Sequence, residues 1–410
     1  MISTTKRERV ADEQAVGDPA GDPQSGKTSW PAVREVALLF LKLGTIAFGG
    51  PAAHTAMMRD ELVRRRGWVS DERFVDLMGA TNLIPGPNST ELAIHLGFDR
   101  ARWRGLLAAG VCFILPAALI VTVLAWAYVT YGTTPAVAGI LYGIVPAVIA
   151  IIAHALFGLL RTVIKNVWFA LLAVAALAAY LLGVNELLVL AAGALLTAGT
   201  HLVRRGRQDT PHALLAPLSL LGLGSPGLPV FPDPTGSQLA QLFLTMLKIG
   251  SVLYGSGYVL LAFLRGDFVD RLGWITGQQL IDAVSIGQVT PGPVFTTATF
   301  IGYLVAGPVG AFLATVAIFL PSFIFVGLLT KLTDKLRSSA WTSALLDGLN
   351  VAALALMAGV SLQLGRTAII DPLTAAIALA TLALLWKTKL NNAWYIAAGA
   401  AIGLAHALLT

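Results

Sequence analysis

Residues 83–91 read LIPGPNSTE, and residues 289–297 read VTPGPVFTT. Each stretch lies inside an otherwise apolar run, near 73–97 and near 276–304. Proline lacks an amide hydrogen and clashes with the preceding turn, while glycine favours loop geometry, so each Pro-Gly-Pro divides a helix in two. In the first run the pieces hold about 12 and about 10 residues and reach about 15–18 Å. That is roughly half of a ~30 Å hydrocarbon core. A re-entrant hairpin fits these lengths better than one straight span.

The two stretches belong to a repeat. Residues 41–87 align with 247–293 without a gap, and 14 of the 47 pairs are identical. They include Lys42/Lys248, Gly44/Gly250, Gly49/Gly255, Gly67-Trp68/Gly273-Trp274, Asp76/Asp282 and both Pro-Gly-Pro triplets. One residue is then lost, and the register resumes with Gly97/Gly302, Gly105/Gly310 and Pro116/Pro321. Apolar composition alone would match Leu and Val, but not Lys, Asp, Trp and Pro-Gly-Pro.

The surrounding composition sets the solvent. Of 410 residues, 56% are apolar and 12% charged, against roughly 25% charged in a soluble protein. So few charges cannot cover a soluble surface, which excludes a soluble enzyme, a disordered chain and a nucleic-acid module. An all-α polytopic membrane protein remains. Six apolar stretches fall in 34–203 and six in 238–409. Residues 1–32 are expected to form a disordered tail. Repeats are expected at 33–207 and 238–410, joined by a Pro- and Gly-rich linker, 208–237.

Loop charge points to opposite orientations. The first half carries Arg59 and Arg64–Arg66 in one loop and Arg100, Arg102 and Arg104 in the next, where the second half is neutral or uncharged. The bias reverses later: 132–135 is uncharged, whereas its counterpart holds Lys331, Lys335 and Arg337. Basic loops face the cytoplasm, so the repeats are expected to be inverted. One topology has about five spans and one hairpin per half, with the N-terminus outside. Another has six spans per half plus one in 213–231, with the N-terminus inside.

Inverted repeats with broken helices are a secondary-transporter arrangement, and a broken helix leaves amide hydrogens and a positive dipole end suited to an anion. Lys42 and Lys248 each precede their glycine break by seven residues. A lysine at helix centre costs about 2.5–3.5 kcal/mol. Either the pair attracts a small dianion, or each lysine snorkels to the interface. Asn88 and Ser89 after the first turn, Thr296 and Thr297 after the second, and Asn82 and Gln288 before them either cap half-helices or contact substrate. The glycines of the breaks, Gly49, Gly50, Gly86, Gly255 and Gly292, complete the candidate binding set. Glu91 and His95 share a helix face and are candidates for a proton relay, as are Asp76 and Asp282. Glu91 could equally complete a cap or neutralise a lysine, and the aspartates could pair with basic groups or face water. No nucleophile–base pair, metal cluster or cofactor motif stands out, and the single cysteine, Cys112, can form no internal disulfide.

These residues resemble the chromate ion transporter family in its long, two-domain form. The resemblance rests on FLKLGTIAFGGPAAH (40–54), Gly67-Trp68 and LIPGP in the first half. In the second it rests on LKIGSVLYGSGY (247–258), Gly273-Trp274, GQVTPGPVFTTATFIGYLVAG (287–307) and IFLPSF (318–323). It implies proton-driven export of chromate across the bacterial inner membrane, with sulfate as a near isostere. The family's lysine and glycine-proline breaks map onto Lys42, Gly49, Gly50, Pro51, Pro85, Gly86 and Pro87, and onto Lys248, Gly255, Pro291, Gly292 and Pro293. A passive oxyanion channel and a sulfate uptake carrier are the alternatives. The partners are the oxyanion, protons and the lipid bilayer. No nucleic acid is expected, and homodimerisation is left open.

Overall fold

Glycine and proline set where the helices stop. A computed structural model of the chain describes residues 30–48, 50–132, 134–205, 234–254, 257–336, 340–388 and 390–409. Helix α1 (Trp30–Ile46) ends at the first glycine break, and α2 (Gly50–Arg59) runs into a π-helical turn, Asp60–Arg65. Next come α3 (Asp71–Thr81), capped by Ser70, then the first Pro-Gly-Pro and α4 (Asn88–Tyr131). Helices α5 (Pro135–Val163), α6 (Val167–Leu181) and α7 (Glu186–Arg205) complete the first half.

The second half repeats the order. It holds α8 (Pro234–Val252), α9 (Leu260–Leu264) with a π-helical turn at Arg265–Arg271, and α10 (Gly277–Val289). Then follow α11 (Thr297–Leu336), α12 (Ala340–Ala368), α13 (Pro372–Lys387) and α14 (Asn392–Leu409). Helix α8 starts four residues inside the expected linker; the rest of that linker, with 213–231, lies outside the described residues. Among the described residues there is no strand. Among the described residues five helices are long and apolar enough to cross a membrane, and three shorter ones are apolar. Twelve apolar stretches thus yield fewer full-length helices: the glycine and proline breaks shorten α1, α3 and α10, while α6, α7 and α13 are short without such a break.

The long helices α4 and α11 are each sharply folded. Ala101 and Arg102 leave helical geometry (φ −143° and +51°), as do Ala306 and Gly307 (φ −148° and +61°). The chain then doubles back. A Cβ at Gly97 would lie 2.4 Å from the Gly105 carbonyl oxygen, and one at Gly302 would lie 2.3 Å from that of Gly310. Only glycine permits backbones so close. At the first fold an arginine occupies the positive-φ position that glycine fills in the second. Such strain costs about 1–3 kcal/mol, so Arg102→Gly is expected to stabilise the protein by about 1 kcal/mol after the entropy cost of glycine. A raised melting temperature in detergent would show it.

Packing joins helices within each half and across the two. Helix α1 lies on α4 and α8 on α11, while α5 packs with α14 and α12 with α7. The last two contacts are equivalent under the repeat: Gly143 abuts the Gly399 carbonyl and Gly348 that of Gly193. Small residues at helix contacts are how membrane helices gain dispersion energy where no hydrophobic drive separates them from lipid.

Candidate functional site

The two Pro-Gly-Pro turns dock reciprocally into opposite halves. Gly86 takes φ +138° and donates its amide hydrogen to the Leu253 carbonyl at 2.8 Å; Gly292 takes φ +95° and donates to Ala47 at 2.9 Å. Ala47 and Leu253 are aligned residues, each two positions before its half's glycine break. Beyond the turns the equivalence also holds, since Gly86 faces Ser322 of α11 and Gly292 faces Ala117 of α4. The Tyr254 hydroxyl donates to the Asn82 carbonyl and adds a contact on one side only.

Polar groups buried around the turns lack partners. Glu91 is fully buried with neither carboxylate oxygen hydrogen-bonded; Ser322 Oγ sits nearby without making a bond of good geometry. Thr90 Oγ1 and His95 Nε2 on the same helix, and Ser285 Oγ and Gln288 Nε2 before the second turn, are also unsatisfied. Buried polar atoms are nearly always hydrogen-bonded, so such a concentration calls for a partner such as water or an ion.

The other expected residues divide. Asn82 and Asn88 bond each other across the first turn at 2.7 Å, while Thr296 and Thr297 donate to the Pro293 and Val294 carbonyls, as local caps do. Ser89 is engaged by His54, a residue with no local signal in the sequence. Gly50 takes φ +79° as it opens α2; Gly49 and Gly255 lie outside the described residues. Asp282 accepts from Tyr128 at 2.8 Å and Gln278 at 2.9 Å, and lines a cavity of about 590 Å³ with Tyr142 and Thr374. Asp76 is half-buried and partnered.

The lysines stand in unlike states. Lys248 Nζ contacts both oxygens of buried Asp267 (2.7 and 2.6 Å), which also holds Arg271. Lys42 is exposed on α1. Its half's counterpart of Asp267 is Glu61, which pairs instead with Arg65 and Arg66. Neither lysine helix has the other among its main packing partners. Asp267 was overlooked although the repeat keeps an acid at both positions. Ser322 carried no such signal, since its mate is alanine. Ion pairs gather among residues 35–100 of the first half: Glu35 holds Arg66 (3.4 Å) and Arg100 (2.9 Å), Arg73 holds Asp99 (2.8 Å), and Arg59 holds Asp71. The Arg59 guanidinium keeps the Asp71 carboxyl below the usual carboxylate range.

Two homologous helical halves, long apolar helices and a polar interior at paired chain breaks define a multi-pass membrane protein of the transporter class. Residues 34–198 and 240–404 each match the family model described as Chromate transporter, and the chain belongs to that family. It is 35% identical over 376 residues to the chromate transport protein of Cupriavidus metallidurans, spanning 90% of this chain and 92% of that one. It is 33% identical to a probable chromate transport protein of Synechococcus elongatus (87% and 90% covered). It is 32% identical to the chromate transport protein of Pseudomonas aeruginosa (86% and 87% covered). No solved structure matches the chain.

Proposed function

We propose that this protein is a secondary active transporter that exports chromate, or a similar tetrahedral oxyanion such as sulfate, in exchange for protons. The reciprocal docking of the two Pro-Gly-Pro turns carries the reading. It brings helix N-termini and unsatisfied polar groups of both halves into the protein interior, where irregular backbone is tolerated only beside protein or water. A dianion there meets amide hydrogens and hydroxyls, with Lys42 and Lys248 supplying charge on its path. Glu91, with His95, handles the proton. An unpartnered buried carboxylate is costly, and a bound proton removes that cost.

In this reading both broken segments of each half are re-entrant. The Glu35 contacts to Arg66 and Arg100 support this, because they bring the start of α1 beside the loops that follow each return. The arginine excess makes that side cytoplasmic and puts the N-terminal end of α1 there, unlike the five-span count. Helix α4 leaves that side, and near its far end Tyr128 meets Asp282, the sixth residue of α10, and stacks edge-on with Phe300. The second half's hairpin thus opens oppositely, which supports inversion. The unequal lysines suit one state of an alternating cycle.

Proteoliposomes given labelled chromate or sulfate, with and without a pH gradient, test the function. Uphill accumulation that needs the pH gradient is expected. A response to membrane potential alone would identify a passive anion channel. Lys42→Ala and Lys248→Ala are each expected to abolish chromate resistance in cells while the protein still inserts; full resistance in both would remove the lysines from the mechanism.

A further inference from the structure

We infer that His54 couples proton uptake to oxyanion binding by setting which way the Ser89 hydroxyl directs its hydrogen. The inference rests on the transport reading above and adds a residue to it. His54 is buried on α2, with Nε2 3.0 Å from the Ala47 carbonyl oxygen and Nδ1 3.2 Å from Ser89 Oγ. A carbonyl can only accept, so Nε2 carries a hydrogen. In the neutral ring Nδ1 is then bare and can only accept, and the Ser89 hydroxyl must spend its hydrogen on it. Ser89 in that state offers an incoming oxyanion lone pairs alone.

One proton on Nδ1 reverses the bond. The ring then donates to Ser89 Oγ, and the hydroxyl hydrogen is released to point elsewhere. Ser89 lies in the first turn of α4, where the Thr90 and Glu91 amides bond the Pro87 carbonyl and, among the described contacts, those of Asn88 and Ser89 bond none. The freed hydroxyl joins them as a donor, and the imidazolium adds a positive charge nearby. Proton and dianion therefore each favour the other's binding, and by linkage to the same extent. The Nε2–Ala47 bond survives in both states. Ala47 also accepts from Gly292, so the docking of the second turn is undisturbed by the switch.

The surroundings leave the ring free to act this way. Helix α2 packs on α1, on its own π-helical turn and on α4. The charged and titratable groups on these elements are Arg34, Glu35 and Lys42 on α1, Asp60, Glu61, Arg64 and Arg65 in the turn, and, on the stretches of α4 near Ser89 and Phe113, Glu91, His95 and Cys112. Among the described contacts none of them hydrogen-bonds or ion-pairs with the imidazole, which also meets the Phe113 ring edge-on at 5.7 Å. The aligned residue of the second half is Leu260, so the switch exists once per molecule.

Binding of chromate and of sulfate to the purified full-length protein, followed by tryptophan fluorescence across pH, tests this. Sulfate serves because it takes up no proton near neutrality. In the unaltered protein affinity should rise up to about tenfold per pH unit lowered, for one linked proton. His54→Asn should bind weakly with a flat pH profile. Ser89→Ala should do the same, and Ser89→Thr, which keeps the hydroxyl, should restore the slope. Either His54→Asn or Ser89→Ala with the unaltered slope overturns the inference and leaves the transport reading standing. If His54→Asn does not fold, the Ser89 pair decides. Absence of any chromate or sulfate binding by the unaltered protein would instead sink the transport reading.

Discussion

Glu91→Gln is expected to end pH-driven accumulation of chromate while leaving exchange of chromate for chromate measurable. The glutamine keeps the size of the side chain and remains uncharged, so the buried site beside Gly86 and Ser322 is preserved. What it cannot do is release and recapture a proton. A carboxyl group enclosed this fully is costly to ionise, so its proton stays until the site opens or a cation approaches. Coupling requires that change of state, and the variant is locked out of it. The check is paired: uptake under an imposed pH gradient should fall to background, whereas counterflow from preloaded vesicles should persist. Retained gradient-driven uptake would move the coupling elsewhere, with His54, Asp282 and His95 the next candidates.

Gly86→Val and Gly292→Val should do more, removing stably folded protein as well as activity. A Cβ at Gly86 would lie 2.1 Å from Glu91 Oε1 and 2.8 Å from Ser322 Oγ, and one at Gly292 would lie 2.7 Å from the Ala117 methyl. Both glycines also hold positive φ, which valine resists. Overpacking costs about 1–3 kcal/mol, and backbone strain adds about 1–3 kcal/mol. The turn is also pinned by its amide to the other half, so it cannot withdraw without losing that bond. The measurement is the melting temperature in detergent together with uptake. By contrast Gly79, which has no atom within 4 Å of an added Cβ, should tolerate alanine with full activity. Wild-type melting in either valine variant would show that the turns are not clamped.

Much of the architecture was legible along the chain. Charge scarcity named the solvent, and the constant register between the halves exposed the duplication, because Lys, Asp and Trp do not recur by chance in apolar sequence. The helix stops at 47–50 and at both Pro-Gly-Pro turns followed from backbone chemistry, independent of any neighbour. Breaks near Arg102 and Gly307 were legible as ends of apolar stretches, but the sharp fold-back at each was not, because it depends on the close approach of Gly97 to Gly105 and of Gly302 to Gly310. The candidate site was read less completely. Glu91 stood out as an acid in an apolar segment, yet nothing local told that Ser322, far along the chain, would lie beside it. His54 carries no signal of its own in the sequence. Its meaning comes from Ser89, 35 residues on.

The sequence alone determined that this is a duplicated helical membrane protein of the chromate transporter family, and where its helices break. Those properties depend on composition, periodicity and backbone covalent geometry, all of which are local. Only the tertiary structure decided that each Pro-Gly-Pro turn inserts into the opposite half, that Lys248 is held by Asp267 while Lys42 is exposed, and that His54 bonds Ser89. Such pairings depend on which helix faces are brought together, and hydrogen bonds at about 3 Å follow from packing across distant segments that no stretch of chain records.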